Sequence, residues 1–441
     1  MRATSGIGML EGHPRGDDEM STPPRPVTAE DCRAADRADP LRPLRSRFAL
    51  PEGVIYLDGN SLGALPRDAV ARSAEVVTQE WGHDLIGSWN KNAWFDLPVR
   101  IGAKIGRLIG GDGGECVATD TTSVNIFKAL AAALRIQDED APTRRVIVSE
   151  RDNFPTDLYI AEGLIELLDQ GYRLRLIDSP DELDDALGED VAVVLLTHVN
   201  YRTGRLWDMA DASARIHRSG ALAIWDLCHS VGAIPLHVAA DGADFVVGCT
   251  YKYLNGGPGS PAFVWIAERH LARAVSPLTG WWAHREPFRM SDSFAAADGG
   301  RRFLVGTQPV LSLATMEVGV DLHLEVDPDA LRRKSLALTD LFIALVESRL
   351  AHHPLELVTP RDPENRGSHV SYRHPEGYAV MRALIANGVI GDYREPEVLR
   401  FGLAPLYNGF TDVWDAVETL RRVLDDELWR APEFQLRDTV T

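Results

Sequence analysis

Cysteine is scarce in this chain: four of 441 residues, Cys32, Cys116, Cys228 and Cys249, none of them in a C-x-x-C spacing. That excludes a disulfide-stapled scaffold and the common zinc patterns, and it predicts reduced thiols in a cytoplasmic protein. Positive charge is short as well. Lys plus Arg total 46 against 65 Asp plus Glu, a net charge of −19, which repels a phosphate backbone or an anionic bilayer and argues against nucleic acid and membrane as partners. No apolar run approaches the roughly 20 residues of a membrane span, no signal-peptide core stands near the start, and no fixed-period repeat suggests a solenoid or propeller. Residues 1–26 are predicted to be a disordered tail. A helix is predicted to begin at Thr28, with Glu30 and Asp31 in a first turn whose dipole favours carboxylates.

What is present has the size and make-up of an enzyme, with 45% hydrophobic and 25% charged residues, close to the globular average. Short apolar runs recur at 145–149, 174–177, 191–196, 221–225, 245–248 and 262–265, each fit to be a buried strand. Segments with helical spacing, such as 159–170 and 209–219, lie between them. This alternation predicts an α/β unit with a mostly parallel sheet, whose ligands gather beyond the carboxyl ends of the strands. From about residue 310 the pattern turns to long helices over 310–324 and 328–351, then short strand-like pieces and a last helix over 411–429, as in a smaller α+β domain. Near the start, Val54-Ile55-Tyr56-Leu57 runs into Asp58-Gly59-Asn60-Ser61-Leu62-Gly63, a turn of the kind that brings backbone close to a ligand.

Four segments carry chemistry. In Cys249-Thr250-Tyr251-Lys252-Tyr253-Leu254-Asn255-Gly256-Gly257, a lysine follows a buried strand and precedes a glycine-rich turn. An amine held out of water gives up its proton more readily and can form a Schiff base with an aldehyde cofactor, whereas a strand-end lysine can equally point to solvent. Asp226, in Trp225-Asp226-Leu227-Cys228-His229, ends another strand. It suits a carboxylate that keeps a pyridinium nitrogen protonated, or else a helix cap, and His229 suits a cofactor contact or a satisfied core histidine. Thr121, Thr122 and Ser123 open a helix, where hydroxyls either cap the backbone or help it hold a phosphate. In Asn153-Phe154-Pro155-Thr156-Asp157 the aromatic ring can stack on a planar cofactor and Asp157 can bond its edge, or the segment is a plain turn.

Taken in order with Thr197-His198-Val199-Asn200-Tyr201-Arg202-Thr203-Gly204, Gly280-Trp281-Trp282-Ala283-His284 and Arg400-Phe401-Gly402-Leu403-Ala404-Pro405-Leu406-Tyr407-Asn408, these segments resemble kynureninase over nearly the whole chain after the tail. Gly-Asn-Ser-Leu-Gly and Pro-Leu-Tyr-Asn are its most particular motifs. The resemblance implies a fold-type-I, class V aminotransferase-like enzyme that uses pyridoxal phosphate to hydrolyse L-kynurenine to anthranilate and L-alanine in tryptophan catabolism. It implies a cofactor-binding domain over 61–309, a small domain over 310–441, and a segment over 27–60 packed on the latter. Lys252 would hold the cofactor covalently and act as the base, Asp226 would pair with its ring nitrogen, and Tyr251 would shuttle a proton. Phe154 would stack on the ring, with Asp157, Thr197 and His229 in contact with it. Thr121, Thr122, Ser123 and Tyr251 would surround the phosphate, joined by Trp281 and Thr307 of a second copy in a homodimer with shared sites. Arg400 would clamp the substrate carboxylate, while Ser61, Trp89 and Gly306 would border its aromatic end. Glycine at 306 offers nothing to a ring hydroxyl, which favours kynurenine over its 3-hydroxy form. Other chemistries remain open on the same fold, namely a cysteine desulfurase-like lyase and a non-catalytic binding protein.

Overall fold

A computed structural model describes residues 26–437; the tail expected over 1–26 lies almost wholly outside them. The first helix, Ala29–Ala38, starts where its composition predicts. Thr28 and Asp31 form a reciprocal capping box, the Thr28 hydroxyl accepting from the Asp31 N–H and the Asp31 carboxylate from the Thr28 N–H.

After a short strand β1 (Ile55–Tyr56), seven strands build the central sheet: β2 (Glu115–Ala118), β3 (Val146–Glu150), β4 (Arg173–Ile177), β5 (Val191–Thr197), β6 (Leu222–Asp226), β7 (Phe245–Gly248) and β8 (Phe263–Ile266). They lie in the order β2-β8-β7-β6-β5-β3-β4. Pairing is parallel from β4 through β7, and β8 runs antiparallel to both of its neighbours. The predicted runs thus become the sheet. The strand not foreseen, β2, is a short Glu-Cys-Val-Ala piece whose polar first residue hides its apolar half. Helices cover both faces, with Thr122–Asp140 among those on one side and Leu97–Leu108 and Val310–Leu324 on the other. This explains why β3, β5, β6, β7 and β8 are continuous apolar runs except for polar residues at the carboxyl ends of β3, β5 and β6: both faces of each strand are buried.

A second apolar cluster joins the helices Pro328–Arg349, Gly377–Ala386 and Phe410–Asp425 to a four-stranded antiparallel sheet. Its strands are β9 (Glu356–Leu357) and β10 (His369–Arg373), then, beyond β11 (Val389–Ile390), β12 (Asp392–Arg394) and β13 (Val398–Gly402), ordered β12-β13-β10-β9. β1 pairs in parallel with β11 as a separate two-stranded sheet, tying the N-terminal segment to this part of the chain. The last helix is shorter than its sequence pattern suggests. It stops at Asp425 because Glu427 takes a left-handed conformation, φ 50°, and a separate turn follows at Leu428–Arg430. All four cysteines are free and buried. Among the described residues no helix is long and apolar enough to cross a membrane.

Candidate active site

The carboxyl ends of β2, β3, β5, β6 and β7 converge on one cavity of about 200 Å³. Each strand delivers its predicted residue there: Thr121, Thr122 and Ser123 after β2, Phe154 and Asp157 after β3, Thr197 at the end of β5, Asp226 and His229 at the end of β6, and Tyr251 and Lys252 after β7. Cys228, Tyr201 and Ser260 line it as well.

Local chemistry explains each placement. Thr121 is the N-cap of the helix Thr122–Asp140, its hydroxyl accepting from the Val124 N–H at 3.3 Å. The N–H groups of Thr122 and Ser123 have no partner within the helix, because a helix start leaves its first donors free, so the dipole end and two hydroxyls face the cavity together. The turn that carries them is braced from behind. Lys128, fully buried, bonds Asp120 and, at 2.6 Å, the Phe303 carbonyl, and Thr119 donates to Gln308 Oε1 at 3.1 Å. On the other wall, Asn153 Oδ1 accepts from the Phe154 N–H (2.7 Å) and from the Thr197 hydroxyl, which fixes the aromatic ring and the threonine together. Phe154 is 41% exposed and meets Tyr201 edge-on at 5.2 Å.

Asp226 is buried, and its Oδ1 accepts the Cys228 N–H at 2.7 Å. Burial pushes its carboxyl up, with Cys228 and the nearby Lys252 charge working the other way. Asp157 is raised further, by burial first and then by the charge of Asp226. Two buried carboxyls on one cavity favour a cationic guest between them. Lys252 is half-buried, its Nζ 2.9 Å from His229 Nε2 and 6.0 Å from the centre of the Phe154 ring. His229 is held neutral, its proton affinity depressed by burial and then by Lys252 and Arg400. Burial, then Cys249, Cys228 and Asp226, raise the Tyr251 phenol well above its ordinary value, so it stays protonated.

The two most particular motifs meet beside this cavity. Gly63 donates its N–H to the Tyr251 carbonyl at 2.7 Å, and a Cβ at Gly63 would fall 2.2 Å from the Lys252 carbonyl. Only glycine allows that approach. At the other end of the same turn, a Cβ at Gly59 would lie 2.3 Å from the Tyr407 hydroxyl, and Asn408 Nδ2 donates to the Tyr56 carbonyl at 2.9 Å.

Arg400 is 1% exposed and bonds in four directions: Nε to Asp392 Oδ1 at 2.7 Å, Nη2 to Asp392 Oδ2 and to Ser61 Oγ (2.7 Å), and Nη1 to the Tyr201 carbonyl at 2.5 Å. Tyr201 lines the cavity, so the guanidinium stands directly behind its wall. Burial would raise Asp392, but the Arg400 charge overcomes it and the carboxyl is held low. Arg394 reaches the same Asp392 oxygen at 2.7 Å.

Not every predicted residue comes to the cavity. Ser61 sits against Arg400 and Asp392, outside the lining of the cavity. Trp89 packs on Trp94 and Trp282, and Trp281 stacks on Trp282 at 5.2 Å. Thr307 is exposed, and nothing lies within 4 Å of where a Cβ on Gly306 would be. Tyr201, Asp392, Arg394 and His369 were missed by sequence reasoning. The alternation Asp392-x-Arg394, separated from β13 by three residues, was the available signal for two of them.

These features fit pyridoxal phosphate: a helix start with free donors at one end, a buried carboxylate at the other, an aromatic face alongside and a lysine amine within the same enclosure. Two solved structures share this chain's architecture. The apo cysteine desulfurase from Thermococcus onnurineus NA1 superposes with a TM-score of 0.73, at 17% identity over 87% of this chain and 98% of that one. A cystine lyase variant, C-DES, with glycine covalently linked to its pyridoxal-phosphate cofactor, superposes with 0.73 at 17% identity over 86% and 98%. The fold is therefore that of the fold-type-I pyridoxal-phosphate enzymes. A family model for the kynureninase C-terminal domain matches residues 331–420. Kynureninase from Burkholderia pseudomallei (strain 1106a) is 60% identical over 414 residues, and that from Pseudomonas fluorescens 58% over 415, in each case 94% of this chain and the whole of the relative. The chain belongs to the kynureninase family.

Proposed function

We propose that Lys252, Asp226 and Arg400 divide between them the work of the family's reaction. That reaction is the pyridoxal-phosphate-dependent hydrolysis of L-kynurenine to anthranilate and L-alanine, and this chain is an enzyme that carries it out. The reading of the residues is supported above all by one observation: Lys252 and Asp226 open on the same cavity, and the carbonyl that Arg400 grips belongs to a residue of its wall.

Arg400 binds the α-carboxylate. Asp392 holds the Nε–Nη2 edge of the guanidinium, so the Nη1–Nη2 edge is the one left for the substrate. Its present acceptors there, the Tyr201 carbonyl and the Ser61 hydroxyl, are neutral, and a carboxylate makes the stronger charge-assisted pair. Bound in the cavity, pyridoxal phosphate supplies an electron sink conjugated to the substrate's amino nitrogen. Asp226 keeps the proton on the pyridine nitrogen. Lys252 removes the Cα proton as general base, and Tyr251, kept protonated by burial, moves a proton beside it. Phe154 would cover one face and exclude water from it, and the helix start at Thr121, Thr122 and Ser123 would hold the phosphate, with Asp157, Thr197 and His229 lining the same cavity.

Trp281 and Thr307 stand away from this chain's own cavity. Their position supports a homodimer in which the partner subunit's Trp281 and the partner subunit's Thr307 complete the phosphate site, with Gly306 and Trp89 bordering the aryl end of the substrate. The pairing of β1 with β11 supports a division into a segment 27–60 packed on a small domain 310–441, and a cofactor-binding domain 61–309. A desulfurase chemistry is disfavoured because it needs a reactive thiolate, and Cys228, the cysteine at the cavity, is buried with its thiol pushed well up, by burial first. The test is incubation of the loaded enzyme with L-kynurenine while anthranilate fluorescence and alanine are followed together. Equimolar release of both supports the reading, and alanine without anthranilate, or neither, defeats it.

A further inference from the structure

His369 begins β10 and pairs in register with Gly402, two places along from the Ser371–Arg400 pair, so His369 and Ser371 share a face of the sheet. It is completely buried, yet neither of its ring nitrogens has a hydrogen-bonding partner among the described residues. Buried imidazoles almost always have one. The glycine at 204, with φ +75°, closes one side: a Cβ there would sit 3.3 Å from His369 Nε2. The ring centre of His369 is 5.4 Å from that of His229, within reach of a hydrogen bond made directly or through one water. His229 also has a buried nitrogen, Nδ1, with no partner among the described residues, while its Nε2 is the atom that faces Lys252 at 2.9 Å.

We propose that His369 is a positioning residue that completes a chain Lys252–His229–His369 and fixes the tautomer His229 presents to the catalytic lysine. This rests on the assignment of Lys252 above. Two neutral imidazoles each have one donor and one acceptor. If His229 gives its Nδ1 proton to His369, directly or through water, its Nε2 lone pair must face Lys252 and accept from the amine. Without His369 nothing holds that tautomer. His229 Nε2 can then carry the proton and confront the lysine as a second donor. Both rings have reason to stay neutral. Burial and the charges of Arg400, Lys252 and Arg394 surround each, and only Asp392 opposes them at His369, whose proton affinity falls to about 3.

The experiment compares His369→Leu, His369→Gln and His369→Asn as holoenzymes with the unaltered protein. Readouts are the pH titration of the bound cofactor's visible absorbance, kcat and KM for kynurenine, and thermal unfolding. An acceptor at Nε2 favours the protonated nitrogen it faces. Its loss in the Leu variant should therefore move the absorbance midpoint to lower pH by about half a unit or more. The same variant should lower kcat by about three- to tenfold with little change in KM. Of glutamine and asparagine, the one whose amide reaches His229 Nδ1 should restore both, and the other should not. If the Leu variant does not fold, the Gln and Asn pair decides. An unchanged midpoint and kcat in Leu, or equal values in Gln and Asn, overturns the inference. Absence of a cofactor band in the unaltered protein would instead defeat the assignment of Lys252 itself.

Discussion

Asp226→Asn is the substitution for which the structure gives the sharpest forecast. Asp226 is 3% exposed, and Oδ1 is engaged by the Cys228 N–H. An asparagine can keep that bond with its own carbonyl oxygen, so the turn after β6 should survive and the protein should fold and load. The remaining group then becomes an NH2. A donor in that place can bond only the unprotonated pyridine nitrogen, whereas the carboxylate bonds the protonated one. An opposite charge at such a distance raises a cation's proton affinity by roughly 1–3 pH units, and low solvent access favours the upper end. Three units correspond to about 4 kcal/mol, or a loss of about a thousandfold in kcat if ring protonation limits Cα deprotonation. The assay is anthranilate release under saturating kynurenine, with cofactor content and unfolding temperature measured on the same sample. Fully loaded, stable Asp226→Asn turning over within about threefold of the unaltered enzyme would refute the reasoning.

Arg400→Lys keeps the charge but loses the fork. Asp392 then takes the single ammonium, and KM for kynurenine should rise by about tenfold or more, checked by steady-state kinetics against a smaller change in kcat. Glycine at 306 brings no side-chain donor or acceptor to a ring hydroxyl, so kcat/KM should favour kynurenine over 3-hydroxykynurenine by about tenfold, measured by parallel assays. Asp58 is raised to about 7, by burial first and then by the charge of Asp392. Folding thus favours its protonated form, the native state binds more protons than the unfolded chain between about pH 4 and pH 7, and stability at this site declines as pH rises through that window. Asp58→Asn should flatten that part of the stability–pH curve in urea unfolding. Unchanged curvature would count against it.

The sheet and the site were legible to different depths. Strands buried on both faces announce themselves as continuous apolar runs, which is why β3 and β5 to β8 were visible, while β2 begins with an exposed Glu115 and escaped. The candidate segments stood out because Lys252 and Asp226 stand at the ends of visible apolar runs and Thr121 to Ser123 read as a helix start, and parallel-sheet geometry brings strand-end positions together whatever their separation in sequence. The Arg400 surroundings were hidden for the opposite reason. Asp392, Ser61 and Tyr201 come from three distant segments, joined only when β1 pairs with β11 and β12 with β13. His369 left no local sign, since a histidine in a short strand looks the same whether it packs or works. Trp89, Gly306, Trp281 and Thr307 lie outside the lining of the cavity, and their candidacy rests on the resemblance, with no strand-end position of their own behind it.

The most direct test of the central claim is borohydride reduction of the cofactor-loaded enzyme followed by peptide mass mapping. A reduced pyridoxyl group on Lys252, lost together with anthranilate production in Lys252→Ala, is the predicted result. The same label on another lysine, or kynurenine turnover persisting in Lys252→Ala, would contradict it.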